Sequence, residues 1–235
     1  MNAYVFAAGN GLRLRPLTDD IQKCMLPVKG KPMIEHWLDA IFASESFDKV
    51  YVNVHYKSSQ VISWLKYYCA EKSRKVFVID ETMRLLGTAG TLFYHAELHE
   101  DFMSVYSDTY SEEIFRRLPR YCEVFSKDTV DMSAGIITFN KPNDKSTGNL
   151  TVNKYGIMSA FSEKQDKKGV AWTGVLFGRP DFFDYIEKGD TDLAYNVLPR
   201  LVGRTRVLDH VEAYDIGRGV EQYEHFKRSF NNNKI

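Results

Sequence analysis

The chain has 235 residues, 44% of them apolar and 14% aromatic, and its 31 Lys and Arg balance 31 Asp and Glu. This composition excludes collagenous, coiled-coil and disordered classes, and zero formal charge argues against a protein whose main task is gripping nucleic acid. A chain this long buries roughly 70–75% of its unfolded surface and needs no staples; a local basic site for a phosphate ligand stays open, and neutrality leaves a homodimer as a candidate assembly.

Cys24, Cys69 and Cys122 are odd in number and lack CxxC spacing, so they read as reduced thiols rather than a disulfide framework or a zinc site. No run approaches the ~20 apolar residues of a membrane helix, and Met1 to Gly9 lacks the basic start of a signal peptide. The expectation is a cytoplasmic protein that is not inserted in a membrane.

In chain order, Ala3 to Ala8 reads as a strand buried on both faces and ending at a glycine turn. Pro32 to Ala43 reads as a helix, with Ile34, Trp37, Leu38 and Ile41 at helical spacing. A strand at Lys49 to Val54 follows, then a helix capped by Ser58 or Ser59 and running to about Ala70. Strands at Lys75 to Ile79 and Phe102 to Tyr106 flank a helix at Gly90 to Leu98. This alternation predicts a three-layer α/β sheet, mostly parallel. Beyond it, short strands are expected at Ser133 to Phe139, Gly148 to Val152, Ile157 to Phe161 and Trp172 to Phe177. Turns are expected at Asn143-Asp144 and Lys154-Tyr155-Gly156, and helices at Pro180 to Glu187 and Val220 to Phe230. This half mixes in antiparallel pairing, and no repeat or linker divides the chain.

The first strand runs into Gly9-Asn10-Gly11-Leu12-Arg13-Leu14-Arg15-Pro16-Leu17-Thr18. Two glycines let the backbone approach a ligand and offer N–H groups to phosphate, and Arg13 supplies a planar set of donors for phosphate oxygens. Leu14 stands where a dinucleotide-binding GxGxxG needs its third glycine, and no GK[ST] follows. An ordinary strand-to-helix turn with surface arginines competes with the phosphate reading.

The segment Lys23-Cys24-Met25-Leu26-Pro27-Val28-Lys29-Gly30-Lys31-Pro32-Met33-Ile34-Glu35 shifts the balance toward the phosphate reading. Together with the glycine loop it resembles the signature of sugar-1-phosphate nucleotidyltransferases, AAGxGxRLxPLT followed by a lysine and a PV…GKPMIE segment. The likeness extends along essentially the whole chain, and the short guanylyltransferases of mannose or heptose 1-phosphate are similar in length. The resemblance implies a single Rossmann-like (GT-A-like) α/β domain, residues 1–110 handling the nucleotide and 111–230 the sugar phosphate. It implies Ala7, Ala8, Gly9 and Gly11 wrapped around an NTP, Arg13 on its phosphates and Lys23 at the reacting phosphates. Gln22 replaces the family's usual proline before the lysine, which removes a fixed backbone angle and predicts a more mobile loop.

Further likenesses follow. Leu86-Gly87-Thr88-Ala89-Gly90 resembles a family segment lying against the base and sugar, so Gly87 and Thr88 join the nucleotide-binding set; a Thr-capped helix start is the plain alternative. Asp108 ends a strand where open α/β sheets bind ligands and resembles the family's magnesium-holding aspartate, with Ser107 in place of the usual glycine. Asp215 lies in a segment similar to the family's late W-x-D-I-G. Two carboxylates suit Mg²⁺, which is completed by substrate phosphates. Phe161-Ser162-Glu163-Lys164-Gln165 resembles F-x-E-K-P, which implies Glu163 on sugar hydroxyls and Lys164 on the sugar phosphate; a solvated ion pair is the plain reading. Gly174 matches the family's Asn-Ala-Gly, whereas Trp172 replaces its Asn and points to an unusual acceptor. The six histidines show no metal-ligand spacing, and no GxSxG nucleophile is present.

The implied reaction joins an NTP and a sugar 1-phosphate into an NDP-sugar and pyrophosphate, supplying precursors for surface polysaccharide or glycoconjugates. The attacking group is already an oxyanion, so positioning and charge neutralisation suffice, with Arg13, Lys23 and Asp108 as the catalytic set and Asp108 and Asp215 holding the metal. The uridylyl- and thymidylyltransferases share the Ala7-Ala8-Gly9 wording, so the base stays open. Two other readings stand beside this one: a cytidylyltransferase for phosphocholine or a phosphonate, with Trp172 as an aromatic face, and a catalytically silent binding subunit. Residues after Gly217 form one helix in this reading, which predicts a compact enzyme without a β-helix extension.

Overall fold

The computed structural model describes residues 1–141, 148–162 and 169–231, apart from the side chains of Lys141, Phe230 and Asn231. The elements in order are β1 (Asn2–Phe6), α1 (Leu17–Asp20), β2 (Pro27–Val28), β3 (Lys31–Pro32), α2 (Met33–Ala43), β4 (Lys49–Val54) and α3 (Ser58–Lys72). There follow β5 (Phe77–Asp80), α4 (Gly87–His95), β6 (Phe102–Tyr106), β7 (Thr109–Tyr110), α5 (Glu112–Lys127) and β8 (Ala134–Lys141). The chain continues with β9 (Asn149–Val152), β10 (Met158–Ser162), β11 (Gly169–Gly178), β12 (Thr205–His210), β13 (Tyr214–Asp215) and α6 (Val220–Asn231).

The central sheet is mixed. On one side β1 pairs in parallel with both β4 and β6, and β4 with β5. On the other, β11 runs antiparallel to β6 and β8, and β12 lies parallel to β8. β1 is buried throughout, as its apolar run requires. Its alternate residues feed two cores. Ala3 and Val5 pack with α2, α3 and α5; Tyr4 and Phe6 pack with α4 and the 193–201 segment. The result is three layers, helix on sheet on helix.

The β4 and β6 strands match the expected bounds, and the turn at 154–156 forms with Gly156 N–H on the Asn153 carbonyl at 3.0 Å. Elsewhere the structure differs. Helix α3 has no serine cap: Lys57 takes a left-handed conformation (φ 50°) and Ser58 opens the helix without a side-chain cap bond. Helix α4 begins at Gly87, three residues before the expected Gly90, because the glycine's φ of 74° turns the chain into it. The helix expected at Pro180 to Glu187 forms as a 3-10 helix and ends at Tyr185. Between Asp108 and Ser133, where no element is expected, α5 forms. Ser111 caps it by accepting from Ile114 N–H, and Ile114, Leu118, Tyr121, Cys122 and Phe125 bury one face. Pro119 lies inside this helix on its exposed face. β12 was also unforeseen; its half-buried residues carry no clean alternation. The Asn143-Asp144 turn and the tail beyond Asn231 lie outside the described residues. Among the described residues no helix is long and apolar enough to cross a membrane, and all three cysteines are free thiols.

Candidate active site

The site lies at the carboxyl ends of β1 and β6, where the parallel strands stop and their loops diverge. After β1 the chain turns through Gly11, whose φ of 64° disfavours a side chain. The Thr18 hydroxyl donates to the Gly11 carbonyl at 2.8 Å from a fully buried position, which ties both ends of the loop together. Ala7 N–H donates to Asn53 Oδ1 at 2.7 Å, and Asn53 Nδ2 donates to Glu81 Oε1 and Thr91 Oγ1 at 3.0 and 3.1 Å. Glu81 Oε2 accepts from Leu86 N–H at 3.0 Å. The loop is thus anchored to the start of α4 by a buried polar network whose members satisfy one another, as burial demands.

After β6, Asp108 faces Lys23 of the second motif, with Lys23 Nζ donating to Asp108 Oδ2 at 2.5 Å. Asp215 arrives from the far end of the chain on a small ribbon, in which β13 pairs with β7 and Ile216 N–H donates to the Asp108 carbonyl at 2.9 Å. Gly217 shows how tightly these groups meet. A Cβ there would run into Asp108 Oδ2, and would lie 3.1 Å from Asp215 Oδ1 and 3.2 Å from Lys23 Nζ. Arg13 lines the same cleft.

The electrostatics follow. Burial works against the Lys23 ammonium, but the charge and hydrogen bond of Asp108 outweigh it and hold its pKa above the ordinary value. Lys23 is therefore a fixed cation rather than a base. Burial likewise opposes the Asp108 carboxylate, and Lys23 overcomes it, so Asp108 titrates below the usual range. Asp215 is pushed up to about 6, first by burial and then by the Asp108 charge. The pair is thus short of positive charge, and a cation between the two carboxylates would relieve it. Among the described residues no cluster of three or more His, Cys, Asp or Glu forms a metal cage. Two carboxylates with room for substrate phosphates fit Mg²⁺, which seldom takes an all-protein shell.

Of the residues named from sequence, Arg13, Lys23, Asp108, Gly174 and Asp215 line one cleft of about 650 Å³. Ala7 and Ala8 are buried just beneath the loop, and the position of a Cβ on Gly9 is 3.8 Å from Lys23 Nζ. Gly87 and Thr88 sit a layer back. The Thr88 hydroxyl accepts from Leu193 N–H at 3.0 Å and lies 3.3 Å from the Tyr106 hydroxyl, while the Thr191 carbonyl leaves Gly87 no room for a Cβ. They seat the 191–197 segment, which carries Asp192 and Tyr195 into the cleft. Glu163 and Lys164 lie outside the described residues.

One expectation changes at Gln22, and the departure at Trp172 takes a definite form. Gln22 does not loosen the loop: it is fully buried, and its carboxamide is bonded to both motifs. Trp172 offers no polar contact to an acceptor, because its Nε1 donates to the Val175 carbonyl at 2.7 Å and only 7% of the residue is exposed. Gly174, at φ 90°, forms the bulge beside it and lets β11 approach Tyr106. Asn53 and Glu81 also shape the site without any signal in the sequence, and Gly217, legible only as part of the Asp215-Ile216-Gly217 motif, proves to be where the charged groups meet.

A family model for nucleotidyl transferases matches residues 2–217, and the chain belongs to that family. Among its relatives, it is 27% identical over 212 residues to the mannose-1-phosphate guanyltransferase of Schizosaccharomyces pombe, covering 86% of this chain and 56% of the relative. It is 27% identical over 223 residues to the UTP–glucose-1-phosphate uridylyltransferase of Synechocystis, covering 86% of this chain and 55% of the relative. The chain spans from 28% to 56% of the length of such curated relatives. In fold it is similar to HddC from Yersinia pseudotuberculosis complexed with GMP-PN, with a TM-score of 0.75 at 20% identity, covering 97% of this chain and 99% of that one.

Proposed function

We propose that this chain transfers a nucleotidyl group from an NTP to a sugar 1-phosphate, with Mg²⁺ at Asp108 and Asp215, as a single domain whose residues 1–110 serve the nucleotide and 111–230 the acceptor. The observation that carries this reading is the convergence of Lys23, Asp108 and Asp215 beside Gly217, next to the glycine loop. An acceptor phosphate oxygen attacks the α-phosphorus; that O–P bond forms as the bond to the β-phosphate oxygen breaks, and pyrophosphate leaves with the electron pair. No proton need move, which suits a site whose lysine stays charged. Lys23 and Arg13 lower the cost of bringing two anions together, and the loop amides hold the triphosphate in line. Bound Mg²⁺ would supply further neutralisation of the phosphates. Before substrate arrives, Asp108 occupies Lys23 and keeps both charges satisfied.

GTP is the first candidate, supported by the guanyltransferase name of one relative and by the GMP-PN of the HddC complex; the uridylyltransferase relative makes UTP the second. A further reading rests on the aromatic walls of the cleft, Tyr106, Phe139, Phe161, Trp172 and Tyr195. Such faces suit a quaternary ammonium, so phosphocholine with CTP belongs in the panel. The test is pyrophosphate release from four NTPs against a set of sugar 1-phosphates and phosphocholine with MgCl₂. Release with a sugar 1-phosphate supports the first reading; no release from any pair overturns it.

A further inference from the structure

Gln22 is a side chain that the proposed chemistry does not use, yet it is fully buried between the two phosphate-handling motifs. Its Nε2 donates to the Ala7 carbonyl at 2.5 Å and to the Gly9 carbonyl at 3.2 Å. Its Oε1 accepts from Cys24 N–H at 2.5 Å, one residue beyond Lys23. Its own N–H donates to Gln60 Oε1 at 2.7 Å, which fixes the backbone from α3. One carboxamide therefore spans the glycine loop and the lysine turn, and every polar group it offers is used.

The consequence lies in the peptide planes. The peptides of residues 7–10 are trans, and in a trans peptide the C=O and the following N–H point in opposite directions. Drawing the Ala7 and Gly9 carbonyls toward Gln22 therefore turns the N–H groups of Ala8 and Asn10 away from it. Carbonyl oxygens repel phosphate and amide hydrogens attract it. A residue that gathers the carbonyls on one side leaves the donors for the other. The bond to Cys24 sets the turn carrying Lys23 against the same loop, so the cation and the amides are held in one register. A proline at this position has no side-chain donor and could do none of this.

We infer that Gln22 is a positioning residue for the triphosphate, orienting the glycine-loop amides and Lys23 together. The inference rests on the reading of this site as an NTP site. The test uses inorganic tripolyphosphate with MgCl₂ as a base-independent probe, titrated calorimetrically into the whole chain, beside steady-state kinetics and thermal unfolding. Gln22→Met keeps the volume and removes all three side-chain bonds. Gln22→Glu keeps the acceptor for Cys24 N–H and sets an oxygen against the two carbonyls. Each folded variant is expected to bind tripolyphosphate at least tenfold more weakly and to show an NTP KM raised at least tenfold. The acceptor KM should stay within twofold, a split that a merely structural residue would not produce. Unchanged tripolyphosphate affinity in a folded variant overturns the inference, and so does unfolding of both variants at 25 °C. Should the unaltered chain bind tripolyphosphate yet release no pyrophosphate from any NTP, the proposed function fails while the role of Gln22 is still read from binding. Should it not bind tripolyphosphate, both fail.

Discussion

The two halves of the cleft are built from different materials. On the β1 side, backbone amides, one lysine and a buried network of Asn53, Glu81 and Thr91 form a floor with little freedom. On the β11 side, rings of Tyr106, Phe139, Phe161 and Trp172 form walls, and exposed Tyr195 and Asp192 edge them. A triphosphate is the same in every NTP, so its cradle can be fixed in the backbone. An acceptor varies, and side chains on strands and on the 191–197 segment vary with it. The difference predicts that changes on the first side will abolish chemistry, whereas changes on the second will alter choice.

The largest effects should therefore come from Lys23→Met and Asp108→Asn. Each is expected to lower kcat/KM by two to three orders of magnitude, the scale of losing one preorganised charge stabiliser. Lys23→Met will also lower the melting temperature, because it leaves the Asp108 carboxylate buried without its partner. Pyrophosphate release and thermal unfolding check both. Near-normal turnover in either would break the division of labour.

Tyr195→Ala tests the other half. This ring is 66% exposed and touches the cleft from a segment seated on Gly87 and Thr88. Losing it should raise the acceptor KM by about tenfold, the worth of a partly buried aromatic contact, and leave the NTP KM within twofold. Equal effects on both substrates would show that the two walls are not independent.

The pH dependence is a smaller effect. Asp215 titrates at about 6 in the metal-free protein, and a neutral carboxyl is a poor ligand for Mg²⁺. The MgCl₂ concentration for half-maximal activity should rise as pH falls from 7 toward 5, approaching tenfold per unit once below 6. A flat requirement over that range would remove Asp215 from the metal site.

The same contrast explains what could be read from residues alone. The glycine loop, Lys23 and Asp215-Ile216-Gly217 are legible through their likeness to nucleotidyltransferase motifs; taken singly, the loop reads equally as an ordinary turn and Asp215 as a cap or a surface charge. Arg15 shows the limit: it shares the motif but pairs with Asp19 at 3.2 Å on the surface. Gln22 was misjudged because a glutamine carries no positional rule, and only the burial of its carboxamide reveals its work. Trp172 in place of the family's Asn removes a polar acceptor contact, and the structure leaves only its ring at the cleft, since Nε1 donates to the Val175 carbonyl of its own strand beside the bulge at Gly174. Helix α5 was legible in principle from Ser111 and the apolar spacing after it. Pro119 masks that pattern, since nothing local says it falls on the exposed face.

Asp215→Asn separates the binding role of this residue from its place in the fold. The folded-state pKa of Asp215 is raised to about 6, against roughly 3.9 for an unperturbed aspartate. The folded protein therefore binds this proton more tightly than the unfolded chain does. The stability this group contributes is complete below about pH 4 and is lost as pH rises through 6, beyond which the ionised carboxylate works against the fold. Asparagine carries no such charge, and its side-chain oxygen can still accept from Gly217 N–H as Asp215 Oδ1 does at 2.8 Å. In chelator at pH 8 the variant should melt a few degrees higher than the unaltered chain, roughly 2–4 °C for each kcal/mol gained. The gap should close as pH is lowered toward 4. Adding MgCl₂ should reverse the order, since a ligand stabilises only the form that binds it. A variant that melts lower in chelator at pH 8 would mean that Lys23 and Arg13 favour the Asp215 carboxylate more than burial and Asp108 oppose it.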